Sequence, residues 1–233
     1  MREIFDMIFG TSPSWRRGDQ KLKQGDYTGA IKDFSQAIAT NPNDSFSYCH
    51  RGSAYAALGD HKKAIEDYTQ AIRLSPSEPG FYNNRGISYC AVGDIERGIE
   101  DYKRVIHIDS SIPQGHRYLG IAYIKINKYD YAVRCLTRAI QIDSKYPSAY
   151  AYRGLAYTGL KKYAEALKDF DHALEIYPQY SEAYKFRGML YIEIGETSSA
   201  IEDLKKAAGL FFNQNNMLEQ QNVLSLIKEI EGR

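Results

Sequence analysis

Six glycines stand 34 residues apart: Gly18, Gly52, Gly86, Gly120, Gly154 and Gly188. A chain with that spacing is built from copies of one unit, because chance does not keep phase over five intervals. Taking each glycine as position 8 divides residues 11–214 into repeats 11–44, 45–78, 79–112, 113–146, 147–180 and 181–214. Other positions recur in phase. Position 11 is Tyr55, Tyr89, Tyr123, Tyr157 and Tyr191, with Lys21 the exception. Position 20 is Ala30, Ala64, Gly98, Ala132, Ala166 and Ala200. Position 24 is Phe34, Tyr68, Tyr102, Leu136, Phe170 and Leu204.

Apolar spacing at 8 and 11, and again at 20, 24 and 27, predicts two helices per repeat. Gly59-Asp60 and Gly93-Asp94 break the chain between them. Prolines at the first position (Pro79, Pro113, Pro147) or at position 32 (Pro42, Pro76, Pro178) separate one repeat from the next. Small residues at 8, 20 and 27 let helix backbones approach, and the side chains at 11 and 24 fill the space beside them. One such hairpin cannot bury its own faces, so the copies must stack.

This in-phase pattern resembles the tetratricopeptide repeat (TPR) family over residues 11–214. Repeats 2 and 5 match it best; repeat 4 has Asn127-Lys128 in place of the Gly-Asp turn, and repeat 6 has Phe212 in place of proline. The resemblance implies an all-α fold: a right-handed solenoid of antiparallel helix pairs, with a concave face lined by the first helix of each repeat. It also implies a noncatalytic module that binds a peptide or helix of a partner protein, as a scaffold or assembly factor. Residues 215–233 carry Leu218, Val223, Leu226, Ile227 and Ile230 at helical spacing and are expected to form a capping helix. Residues 1–10, with Ile4, Phe5, Ile8 and Phe9, are expected to form an amphipathic segment rather than a signal peptide.

Composition narrows the function classes. Lys and Arg number 30 against 29 Asp and Glu, a net charge of +1. That balance argues against a nucleic-acid surface. No apolar run approaches the roughly 20 residues of a membrane span. Three scattered cysteines, Cys49, Cys90 and Cys135, suggest reduced thiols and a cytoplasmic location. The five histidines show no metal-ligand spacing, and no phosphate-binding loop is present. Cys49-His50 is the one adjacent pair of metal-capable residues, read here as a small apolar residue beside a groove-facing imidazole. No catalytic residue, cofactor or metal is expected.

Function is expected in the groove. In the family, positions 2, 5, 6, 9, 12 and 13 face it. Position 6 runs Arg16, His50, Asn84, Tyr118, Tyr152, Phe186, and position 9 runs Asp19, Ser53, Ile87, Ile121, Leu155, Met189. The surface is thus polar early and apolar late, with Ile124 adding to the late part and Arg117 and Lys185 giving it positive charge. The candidate partner-binding set is Asn84, Ile87, Arg117, Tyr118, Ile121, Ile124, Tyr152, Leu155, Lys185, Phe186 and Met189. It suits a protein or peptide partner with apolar anchors and some acidic residues. Positions 6 and 9 can also serve as packing between neighbouring first helices. The carboxylate clamp of some co-chaperones is not matched, since only Asn84 fits its pattern. Self-association through the apolar half-groove and the amino-terminal segment, giving a homo-oligomer, is the alternative.

One charged pattern belongs to the scaffold. Repeats with Arg at position 7 (Arg17, Arg51, Arg85, Arg153, Arg187) carry Asp at position 23 (Asp33, Asp67, Asp101, Asp169, Asp203), while repeat 4 has Leu119 and Cys135. An antiparallel hairpin brings these positions together. An Arg–Asp pair is therefore expected within each such repeat or across to a neighbour.

Overall fold

The computed structural model describes residues 12–232, and every regular element among them is an α-helix. The expected amino-terminal segment lies outside the described residues. The chain forms two compact units, divided between Ser110 and Ser111.

The first unit contains α1 (Pro13–Lys23), α2 (Tyr27–Thr40), α3 (Ser45–Ala57), α4 (His61–Leu74), α5 (Pro79–Ala91) and α6 (Ile95–Ile108). The second contains α7 (Pro113–Lys125), α8 (Tyr129–Ile142), α9 (Pro147–Gly159), α10 (Tyr163–Ile176), α11 (Ser181–Glu193), α12 (Thr197–Asn213) and α13 (Met217–Glu231). In each unit consecutive helices pack together, and first helices also touch: α3 meets α1 and α5, and α9 meets α7 and α11.

Local chemistry explains the breaks. Gly25, Gly59 and Gly93 take positive φ, and the aspartate after each caps the next helix. Asp26 accepts from the amide of Gly29, Asp60 from Lys63 and Asp94 from Arg97. Each such cap stabilises its helix by about 1 kcal/mol. Repeats 4 and 5 turn differently. Asn127 and Lys161 adopt the left-handed conformation, and neither α8 nor α10 has a side-chain cap. In the last repeat α12 runs to 17 residues where α10 has 14.

Position 8 meets position 24 in every repeat. A Cβ on Gly52 would lie 2.9 Å from the Tyr68 ring, and one on Gly154 2.6 Å from the Phe170 ring. The recurrent glycine therefore seats the large side chain of the second helix directly on the first helix. Position 20 closes the contact: Ala30, Ala64, Ala132, Ala166 and Ala200 are fully buried.

The expected Arg–Asp pairs are present in all five repeats. In repeats 2, 3, 5 and 6 they are bidentate: Arg51 Nε and Nη2 donate to the two Asp67 oxygens at 2.9 and 2.7 Å. The third guanidinium nitrogen reaches the preceding repeat. Nη1 donates to Ser35 Oγ from Arg51, to Thr69 Oγ1 from Arg85 and to Thr137 Oγ1 from Arg153, each at 3.1 Å, and Arg187 Nη1 reaches Asp171. One arginine thus ties two helices of its own repeat and one of the repeat before.

Tyrosines enclose these arginines. Arg85, Arg153 and Arg187 each lie near two rings, from positions 4 and 11 of their own helix. Spacings of three and four residues put all three side chains on one helical face. Part of the chain's tyrosine content is therefore cladding for a half-buried cation. In repeat 4, Leu119 occupies the arginine position and is buried. In repeat 1, which no described repeat precedes, Arg17 is 57% exposed and Lys21 adds a second ion pair to Asp33 at 2.7 Å.

Behind the last repeat, α13 packs on α12. Val223 and Ile227 join Leu204, Ala207 and Phe211 in one apolar cluster.

Candidate functional site

Arg at 7, Gly at 8 and Tyr at 4 and 11 turn toward the scaffold, so positions 5, 6 and 9 of the first helices remain for other work. The two units place different chemistry there.

In the first unit these positions are largely engaged. The His50 ring stacks on Phe34 at 5.5 Å and meets Trp15 edge-on at 5.2 Å. Burial pushes its pKa down, which favours the neutral ring. The expected groove-facing imidazole is thus a packing element, because Trp15 and Phe34 offer more apolar area than the open face. Cys49 is buried beside it, and desolvation raises its thiol to about 11, far from a nucleophile at neutral pH. Asn84 donates to Cys49 Sγ at 3.6 Å. Ile87 stands exposed on α5. Phe46, at position 2, is 48% exposed with its edge against Phe81.

In the second unit α7, α9 and α11 present a continuous series. Tyr118, Ile121 and Ile124 on α7, Tyr152 and Leu155 on α9, and Phe186 on α11 are all half-buried, and Met189 is 42% exposed. Tyr152 and Phe186 meet edge-to-face at 5.5 Å, and Phe186 lies 6.4 Å from the Phe170 ring. Ile124 and Tyr152 pack on the cluster around Leu136 and Ala149. Position 6 is therefore shared: one side of each ring fills the seam between repeats, and the remainder meets solvent.

The two cations of the candidate set differ. Lys185 forms an ion pair with Glu219 of α13 at 2.5 Å, so its charge is already compensated. Arg117 rests over the Tyr118 ring at 4.0 Å and donates from Nε to Tyr146 Oη at 2.6 Å. Tyr152 and Tyr180 are nearby, and burial is the main cause that holds both phenols above their ordinary range. Tyr146 and Tyr180 were not in the candidate set. Both fall at position 34, where repeats 1 and 2 carry the cap residues Asp44 and Glu78. The change from acid to tyrosine at that position is the sequence signal that marks them.

The arrangement can hold an apolar, partly charged segment. Among the described residues no group of three or more His, Cys, Asp or Glu is arranged to hold a metal ion, and no helix is long and apolar enough to cross a membrane.

Comparison with known proteins follows the same lines. Family models described as TPR repeat match residues 18–59, 52–93 and 122–161. Models described as tetratricopeptide repeat match 147–180 and 181–214. The crystal structure of MamA protein is 25% identical, with a TM-score of 0.63, covering 72% of this chain and 92% of that one. A tetratricopeptide repeat protein from Parabacteroides merdae ATCC 43184 has a TM-score of 0.74 at 17% identity, covering 93% of this chain and 95% of that one. YrrB, described as a TPR protein with an unusual peptide-binding site, has a TM-score of 0.57 at 20% identity, covering 82% and 97%. These last two likenesses concern the fold alone. No curated protein sequence matches the chain.

Proposed function

We propose, on the premise that this chain belongs to the tetratricopeptide repeat family, that it is a noncatalytic interaction module whose second unit holds a segment of a partner protein against α7, α9 and α11. The observation that carries this reading is a division of labour along those helices. Positions 4, 7, 8 and 11 are taken up by the scaffold, yet positions 6 and 9 remain apolar and partly open in three successive repeats. Nothing in the stacking of first helices requires Met189 to be an exposed apolar residue.

Tyr118, Ile121, Tyr152, Leu155, Phe186 and Met189 are the apolar contacts in this reading, with Ile124 beneath them and Arg117 and Lys185 at the margins. In the first unit Ile87 offers a contact of its own, beside Asn84. The balanced charge supports a protein or peptide partner over nucleic acid, and the three free thiols support the cytoplasm. A scaffold or assembly role follows from a module that holds a partner without altering it.

The test is co-purification from the native cell with Tyr152→Ala/Leu155→Ser as control. The double variant should keep its helicity and lose the partner. Equal recovery of the partner by the folded variant refutes the assignment.

A second reading has its own observation. Phe212, Met217, Leu218 and Leu224 are exposed around the last two helices, an apolar surface suited to self-association. Sedimentation over a range of concentrations decides it; a concentration-independent monomer removes it.

A further inference from the structure

We infer that Arg117 receives an acidic side chain, Asp or Glu, from within the bound partner segment. This rests on the reading of α7, α9 and α11 as a docking face and names what one end of that face recognises.

The other engaged cations on the first helices of this unit have an acid. Arg153 has Asp169, Arg187 has Asp203 and Asp171, and Lys185 has Glu219. Among the described residues, no carboxylate lies within ion-pair distance of Arg117. Its recorded partners are phenols: Tyr146 accepts from Nε, and the Tyr118 and Tyr146 rings lie 4.0 and 5.6 Å from the guanidinium carbon. Tyrosine oxygens satisfy hydrogen bonds but leave the positive charge unbalanced. A half-buried cation without a counterion is costly, and a bound carboxylate would remove that cost. A guanidinium already fixed by a ring and a hydroxyl suits this task, because little of its motion remains to be lost.

Arg117 is half-buried, so part of it remains open to solvent and to a bound group. Position 5 of the next repeat is Ala151, fully buried, so no second long side chain competes there. The acids of this face already have partners or act at longer range: Glu182 and Arg117 bear on the same two phenols, Tyr152 and Tyr180, in opposite senses. Glu182 accepts from Ser181 at 2.9 Å on α11, and Glu219 is held by Lys185. The face therefore carries an unpaired guanidinium at α7, apolar side chains across α9, and a lysine at α11 already paired with Glu219. One guanidinium matches the single charge of one carboxylate.

The same geometry sets the spacing of the ligand. Two helix-to-helix steps of about 8–10 Å separate α7 from α11. An extended segment covers that distance in about five or six residues. The partner should carry an Asp or Glu about that far from the apolar residue that meets Phe186 and Met189.

The experiment is selection of displayed random dodecapeptides, fixed between Gly/Ser linkers so that only side-chain carboxylates are offered. Separate selections use the full wild-type chain, Arg117→Gln, and Tyr152→Ala/Leu155→Ser, each with wild-type helicity by circular dichroism. Wild type should select segments pairing one acid with an apolar anchor at the stated spacing. Arg117→Gln should keep the anchor and lose the acid. The best wild-type peptide, acetylated and amidated, should bind Arg117→Gln about 10- to 100-fold more weakly. Its Glu→Gln form should bind both proteins alike. Retention of the acid by Arg117→Gln, an acid-free wild-type consensus, or binding only to segments with a free carboxyl terminus overturns the inference and leaves the docking face intact. Failure of wild type to select any segment, or selection indifferent to Tyr152→Ala/Leu155→Ser, overturns both.

Discussion

Replacing Arg51 with leucine should unseat the scaffold more than any contact of its own would suggest. The guanidinium makes two bonds to Asp67, at 2.9 and 2.7 Å, and one to Ser35 at 3.1 Å in the preceding repeat. The Asp67 side chain is only 7% exposed, that of Arg51 21%. Leucine at 51 leaves a carboxylate that cannot reach water without opening the helix pair, and the expected loss is about 3–5 kcal/mol. The converse change, Asp67→Cys, leaves an arginine on a long flexible stem that can turn outward, so it should cost less. The double variant recreates the pair found in repeat 4, Leu119 and Cys135. With both charges gone it should be more stable than Arg51→Leu alone. Urea unfolding of all four proteins, followed by far-ultraviolet circular dichroism, gives the coupling energy. A value above about 1 kcal/mol supports the pairing; single losses that add to within about 0.5 kcal/mol refute it.

Other expectations follow from the same packing. Gly154→Ala places a Cβ 2.6 Å from the Phe170 ring and should cost about 1–3 kcal/mol, whereas Gly209→Ala, with no atom within 4 Å inside α12, should gain up to about 1 kcal/mol by thermal unfolding. The Lys21 ammonium, chiefly, holds Asp33 below its ordinary 3.8. The stability this contributes is complete above that value and is lost as pH falls through the lower folded value. Lys21→Met should raise the Asp33 pKa in a carboxyl-carbon NMR titration and start the acid loss at higher pH; an unmoved titration contradicts the assignment.

The repeat, its two helices and the Arg–Asp pair were legible because each is written several times in phase. A pairing that recurs five times, and fails in both partners together at Leu119 and Cys135, is hard to mistake. The inter-repeat arm of the arginine was also written there, less openly. Position 25 is Ser35, Thr69, Thr137 or Asp171 where the next repeat has the arginine, and Lys103 where the next repeat has Leu119. Reading it required knowing that the guanidinium has a third nitrogen to satisfy. The face itself was less legible. Lys185 looked like a groove cation, but its partner Glu219 lies one period on, on α13, beyond the last of the six repeats. His50 reads as groove-facing, and position 6 alone does not reveal that Trp15, one position earlier in the preceding repeat, packs against its ring. Periodicity gives the register of such contacts, as Asn84 on Cys49 repeats that of His50 on Trp15, but not which side chains fill it.

The central claim is that the second unit binds through its first helices. Hydrogen–deuterium exchange of the chain, alone and with the co-purified partner, tests it most directly. Added protection is expected in α7, α9 and α11, with α8, α10 and α12 unchanged. Protection confined to those second helices or to α13 would contradict it.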